Sequence, residues 1–247
     1  LDQGGLSPGV QATAPAAILF RDARVFDGRS ERLSPPTSVL VEGNLITRIG
    51  TTVTPPAGAT IIDAGGRTLM PGLIDMHWHT MMVRPTPAEL IAGDIGHLNL
   101  MAGAEATDTL MRGFTTVRDV GGPAFGLKRA IDDGTVVGPR IFPSGAMITI
   151  TSGHGDFRQP FEVPRKLGDT QTRGEQTGAA MIADSPDEVR VRVREQLMLG
   201  ASQIKLTAGG GVSSPHSPID VSTFTEAELR AAVEAAENWG TYVTVHA

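Results

Sequence analysis

Two histidines one residue apart, His77-Trp78-His79, are the first residues in this chain that could do chemistry. In a β-strand, side chains at i and i+2 leave the same face. Two neutral imidazoles at that spacing can share a divalent metal. An H-x-H alone also reads as two hydrogen-bonded core histidines. Its place at the end of the apolar stretch Leu73–His79, behind Met70-Pro71-Gly72, favours ligation. Lys205 stands in Gln203-Ile204-Lys205-Leu206-Thr207. If Ile204 and Leu206 face helices, Lys205 faces the opposite way. A buried ammonium is costly and would repel a metal held by His77 and His79, so both effects favour the neutral amine. That amine can add carbon dioxide and become a carbamate, an anionic ligand with two oxygens. The same position also allows a buried ion pair with Asp75 or Asp119, or a head that reaches solvent. In Tyr242-Val243-Thr244-Val245-His246, parity turns His246 to the side of Thr244 at the top of its strand. Alone it reads as a core histidine; beside the other three it reads as a ligand.

Further candidates lie in the loops. Thr151-Ser152-Gly153-His154-Gly155-Asp156 flanks a histidine with glycines, which permit close approach of backbone and ligand. His216, in Ser214-Pro215-His216-Ser217-Pro218, is a candidate substrate contact or an exposed loop residue. Gly209-Gly210-Gly211 carries no P-loop or dinucleotide pattern and reads as a turn beside the metal ligands. Asp75 shares the face of His77 and suits an orienting or ion-pairing role. His97 reads as structural, and the acidic runs near Asp187-Glu188 and Glu226–Glu228 read as solvated helix faces.

These residues need a scaffold. Residues 1–16 read as a flexible lead, 17–70 as a small β unit and 71–247 as an alternation of strands and helices. Three apolar stretches, Ala17–Phe26, Ser38–Ile49 and Thr60–Leu69, carry strand signals around turn residues. After Pro71-Gly72, strands are expected over Leu73–His79, Phe114–Val120, Arg140–Pro143, Gln203–Thr207 and Thr241–His246. Helices are expected over Ala104–Arg112, Phe125–Asp133, Ser185–Leu199 and Thr225–Asn238. Ser185, Pro186 and Glu188 form a helix-start signature with a capping box. This alternation predicts a parallel sheet with helices outside, an α/β class. Five such units are present, and a closed (β/α)₈ barrel would need roughly 120 to 170 further residues. Residues 1–247 alone are therefore expected to be no working enzyme.

Composition narrows the partners. A net charge of −6 and no cluster of basic residues argue against nucleic acid. No apolar run approaches the roughly 18 residues needed to span a bilayer, so no membrane partner is expected. The absence of cysteine removes thiolate sites and disulfides. The Ala/Pro/Gly-rich lead before Ala17 suggests export to the periplasm or outside the cell, with a cytoplasmic location also compatible.

Several stretches together resemble the amidohydrolase superfamily: "LMPGLIDMHWHT", "GFTTVRDVGG", "GPRIFPSG", "QIKLTAGGG" and "YVTVHA". The likeness runs from about Ala17 to Ala247. It is strongest to the imidazolonepropionase- and Xaa-Pro dipeptidase-like branch, which includes ochratoxin-hydrolysing amidohydrolases. The resemblance implies a (β/α)₈ TIM barrel, here about its first five strands, with a small N-terminal β-sandwich unit. It implies two divalent ions, with Zn2+ the expected metal. His77 and His79 match ligands of the more buried ion, Lys205 the carboxylated bridging lysine and His246 a ligand of the second ion. His154 matches a substrate contact. The family's strand-six histidine and strand-eight aspartate, its general base, have no counterpart in these residues. The implied reaction is hydrolysis of an amide or peptide bond by a metal-bridging hydroxide. An N-acyl amino acid, an X-Pro dipeptide or an ochratoxin-like amide is the small-molecule substrate. A homo-oligomer is implied, with an octamer among the states to test. A cyclic-amide hydrolase of imidazolonepropionase type is the alternative, weakened by Lys205, since a one-metal site needs no bridging ligand. A non-catalytic barrel module is the third reading.

Overall fold

The computed structural model describes residues 16–159, 162, 170–214 and 216–247. The expected lead, apart from Ala16, lies outside these residues. The chain divides into two compact units, Leu1–Pro71 and Gly72–Ala247.

In the first unit, β1 (Ala17–Val25) pairs antiparallel with β2 (Thr37–Glu42), which pairs antiparallel with β3 (Leu45–Gly50). β4 (Thr60–Asp63) and β5 (Thr68–Leu69) run parallel to β1. The apolar stretch 38–49 is thus two strands. Gly43, at φ +63°, supplies the left-handed turn between them. Leu19, Ala23, Val39 and Leu40 are buried, whereas Leu45, Ile46 and Ile49 of β3 and Ile61 and Ile62 of β4 are exposed. Among the described residues this unit is one five-stranded sheet without a second layer.

The second unit is α/β, and all its strand pairings are parallel. β6 (Leu73–Trp78), β7 (Phe114–Asp119) and β8 (Arg140–Pro143) form one sheet. β9 (Met147–Thr149), β10 (Ala180–Ile182), β11 (Ile204–Thr207) and β12 (Val243–His246) form another, in the order β10-β9-β11-β12. The helices are α1 (Pro87–Ala92), α2 (Ile95–Met111), α3 (Phe125–Asp132), α4 (Arg173–Gln176), α5 (Pro186–Leu199) and α6 (Glu226–Glu237). Gly145, at φ +74°, breaks the chain between β8 and β9, where a side chain would collide with Phe125 and Gln196. Gln203 Nε2 crosses this break, donating to the carbonyls of Asp119 (3.0 Å) and Phe142 (3.1 Å).

Parity behaves as the apolar pattern requires. Ile204 and Leu206 pack with Val189, Val193, Ala231 and Ala235 of α5 and α6 in one buried cluster. Trp78 packs with Val117, Ile141 and Leu127 in a second. Their neighbours Lys205, His77 and Arg118 are thereby turned to the opposite face. Several boundaries differ from expectation. β6 stops at Trp78, so His79 stands one residue beyond the ladder. α2 begins at Ile95, because the Asp94 carboxylate caps it by accepting from His97 N. At α5, Ser185 accepts from Glu188 N, but the Glu188 carboxylate takes Asp184 N instead of closing a box. The full capping box appears at α6, between Thr225 and Glu228. The strands β9 and β10 were not anticipated, being only three residues each.

Candidate metal centre

The rings of His77 and His79 approach edge-on, with centroids 5.4 Å apart. Asp75 Oδ1 accepts from the backbone N of His77 at 2.8 Å, so Asp75 fixes the main chain, not the imidazole. His79 Nδ1 lies 3.3 Å from the carbonyl of Gly121, which leaves Nε2 for a ligand. That carbonyl is itself anchored. Asp119, wholly buried, accepts from Gly121 N on Oδ1, and from Thr80 N and Thr80 Oγ1 on Oδ2 at 2.7 and 2.6 Å. It thus ties the loop after β6 to the loop after β7. Burial raises its carboxyl to about 6, against the pull of those donors. A side chain at Gly121 would press on Met147 and the His79 ring, so this close passage requires glycine.

Lys205 is 2% exposed. Among the described residues its ammonium has neither a carboxylate nor a hydrogen-bond acceptor as partner. The pairings with Asp75 or Asp119 that the sequence left open are not formed. Burial, and then the charge of Arg118, lowers the Lys205 amine to about 8. Burial likewise lowers His79 to about 4 and lowers His77, with the charge of Lys205 contributing to both.

His154 and His246 form a second pair, tilted at 38° with centroids 4.5 Å apart. β11 positions His246 through the pairing of Thr207 with His246, and its Nε2 lies 3.1 Å from the Gly210 carbonyl. His154 Nδ1 meets Ser214 Oγ at 2.8 Å, and the same hydroxyl accepts from Gly155 N. Burial, then His246 and Lys205, lowers the His154 imidazole. The turn Gly209-Gly210-Gly211 makes this approach possible: a Cβ at Gly211 would fall on the His154 ring. His216 is exposed; its carbonyl accepts from Ser152 Oγ at 2.9 Å, and its imidazole joins neither pair.

The structure therefore brings together two imidazole pairs and one lysine whose charge acts on both. Among the described residues no three His, Cys, Asp or Glu side chains gather closely enough to hold a metal by themselves. The donor chemistry nevertheless fits divalent cations. His77 and His79 are held towards their neutral, ligating forms, His154 towards its neutral form, carbonyls orient the His79 and His246 rings, and a buried amine lacks an anion among the described residues. Sequence reasoning missed the positioning roles of Asp119 and Ser214. Asp119 carried one usable signal, a carboxylate at the end of a strand just before Gly121-Gly122. Ser214 carried none.

The fold and site define a class: an α/β protein with nitrogen bases around a buried lysine at parallel strand ends. A sequence model of the amidohydrolase family matches residues 68–247, and the chain belongs to that family. Ochratoxinase of Aspergillus niger is 35% identical over 196 residues, 72% of this chain and 38% of ochratoxinase. A prolidase solved with N-methylphosphonate-L-proline superposes with a TM-score of 0.83 at 33% identity, covering 93% of this chain and 56% of that one. A Xaa-Pro dipeptidase with bound methionine in its active site gives a TM-score of 0.77 at 30% identity, with the same coverage. The chain thus spans 38% to 56% of the length of these relatives.

Proposed function

We propose that the full-length protein is a metal-dependent hydrolase of amide bonds, acting on an N-acyl amino acid, an X-Pro dipeptide or an ochratoxin-like amide. The observation that carries this reading is Lys205: a buried amine without an anion among the described residues, near enough for its charge to act on both imidazole pairs. Carboxylation resolves its isolation. The neutral Nζ adds carbon dioxide, loses a proton and becomes a carbamate whose two oxygens can serve two cations. His77 and His79 would hold one ion and His246 the other, within a (β/α)₈ barrel and a β-sandwich completed by the full-length chain. Divalent ions bound there supply Lewis acidity, which acidifies water and polarises a carbonyl.

The chain's own residues do the rest. Asp119 and the Gly121 carbonyl hold the His79 ring so that Nε2 stays a donor. The Gly210 carbonyl orients His246 in the same way. His154, fixed by Ser214, stands where it can donate to a substrate carbonyl oxygen as charge grows on it. The likeness to ochratoxinase, a prolidase and a Xaa-Pro dipeptidase supports amides over phosphate esters. The test is metal analysis with a hydrolysis panel on the full-length protein. Lys205→Ala should remove at least half of the bound metal and cut kcat/KM by roughly 10³-fold or more, the scale of one transition-state donor or beyond. Short carboxylic acids should restore part of it. An alanine variant with unchanged metal content and turnover would overturn the reading.

A further inference from the structure

Beside the histidines lies a cavity of about 470 Å³ with His79 and His154 on its wall. Most of the remaining wall is apolar, and one side of it is contributed by Met81, Met82, Leu90, Ile91, Ile95 and Leu98. These side chains come from the loop after β6, from α1 and from the first turn of α2. The sequence reading assigned none of them a role. Their segment is built to hold its place. Thr86 and Glu89 close a capping box on α1, and the Gly93 N–H closes its last turn by donating to the Glu89 carbonyl. Arg173 of α4 reaches across to the Gly93 carbonyl at 2.6 Å and clasps the far side.

Among the described residues the charged side chains on the wall are Asp156, Arg158, Glu162 and Arg173, two of each sign. Each already has work. Arg158 grips Asp156 through Nε at 2.8 Å and Nη2 at 2.6 Å, and it feels Asp184 and Glu175 as well. Glu162 accepts from Gln159 N, and Arg173 is held by Gly93. Among the described residues no surplus positive charge awaits a carboxylate here. Volumes of about 300 to 1,000 Å³ enclose drug-sized ligands, so a proline ring alone would leave most of this space empty.

We infer that the amide cleaved at this centre carries a large, neutral, apolar group that seats in this cavity, and that Met82, Ile91 and Ile95 set the size it accepts. The scissile bond rests on the amide-hydrolase reading; the seat rests on the cavity. Met81 and Leu98 also line it but are buried in the core, at 3% and 4% exposure, so they are less free to vary. Ile91 and Ile95 are 41% and 38% exposed, so their exchange leaves the core untouched. Methionine at position 82 adds a flexible, polarisable surface suited to an apolar partner of irregular shape.

Two substrate series on the full-length protein decide the matter. One lengthens the acyl group of N-acyl-glycines from acetyl to decanoyl; the other enlarges the amine side of N-acetyl amino acids from Gly to Phe and Trp. One of the two should show kcat/KM rising roughly four-fold for each methylene buried. Ile91→Trp and Ile95→Trp should flatten that rise, with a loss about ten-fold greater for the largest member than for the smallest. A flat dependence in both series, or an equal loss at every size, overturns the inference. Calorimetry with the matching non-hydrolysable sulfonamides reads the seat without turnover. If no amide is cleaved but sulfonamide affinity rises with size and the Trp variants abolish the rise, the amide reading fails and the seat stands. If affinity is independent of size, the seat is wrong whatever the enzyme cleaves.

Discussion

Lys205 shows how much a single residue can decide. Its burial follows from its neighbours: Ile204 and Leu206 are locked against α5 and α6, so the residue between them has nowhere else to point. An ammonium there costs free energy unless paired or neutralised, and the described residues offer no pairing. Asp156 shows the opposite solution to burial. It is 5% exposed and is gripped in two places by Arg158, itself 8% exposed. Burial alone would raise the Asp156 carboxyl, yet the bonds from Arg158 and Ser152 N outweigh it and hold it below the usual range. As pH falls, the unfolded chain therefore takes up this proton first. The pair's contribution is complete above the unfolded value of about 3.9 and is lost as pH falls through the lower folded value. Asp156→Asn should cost about 3–5 kcal/mol near neutral pH, because Arg158 is left buried without its anion. Denaturation measured from about pH 6 down to pH 3 should show a smaller acid-induced loss in the variant than in the wild type. Equal losses would place the acid sensitivity elsewhere.

At the scale of elements, loops after the strands bring the chemistry together, and their glycines set the distances. The turn after β11 carries Gly211 against the His154 ring, while Ser214 three residues on bonds the same ring. Gly211→Ala would put a methyl where the imidazole stands, so His154 must leave its place. We expect kcat/KM to fall by roughly 10²-fold, the scale of a misplaced catalytic contact, with bound metal unchanged because His154 is not assigned as a ligand. Loss of metal in this variant, measured by elemental analysis, would move His154 into the ligand set. Addition of free imidazole should not rescue Gly211→Ala, since the wild-type ring is still present and only displaced.

At the scale of the molecule, the described strands leave apolar surface uncovered. Among them β12 pairs only with β11, with Tyr242 and Val245 about half exposed. β3 and β4 show Leu45, Ile46, Ile49, Ile61 and Ile62 to solvent. Unpaired edges and apolar patches of this kind recruit other chains. Residues 1–247 expressed alone should therefore self-associate, bind the dye ANS and hydrolyse no amide above background. The full-length protein should not bind ANS and should form only assemblies of defined size. A monodisperse 1–247 with a cooperative unfolding transition and turnover would show that the described strands suffice.

Much of the site was legible in one dimension because a strand alternates. The faces of Lys205, His77 and His246 follow from the apolar residues beside them, and parity needs no tertiary knowledge. The start of α5 at Ser185 and the parallel α/β class were legible for similar local reasons, whereas Glu228, read as solvated, is buried in the capping box of α6. Boundaries set by side-chain caps were not: Asp94 starts α2 at Ile95, well before the expected Ala104, and Glu188 prefers Asp184 N to its own cap. Strands of three residues, such as β9 and β10, are too short to carry a period. What only the folded chain decided is which distant groups meet. Asp119 joins Thr80 and Gly121, Gln203 reaches from the start of β11 to the ends of β7 and β8, Ser214 finds His154, and Met82, Ile91 and Ile95 wall one cavity. Sequence records which side a residue faces, since that depends on its immediate neighbours. Partners tens of residues away depend on how strands stack and where glycines let backbones pass, and those are properties of the packed chain.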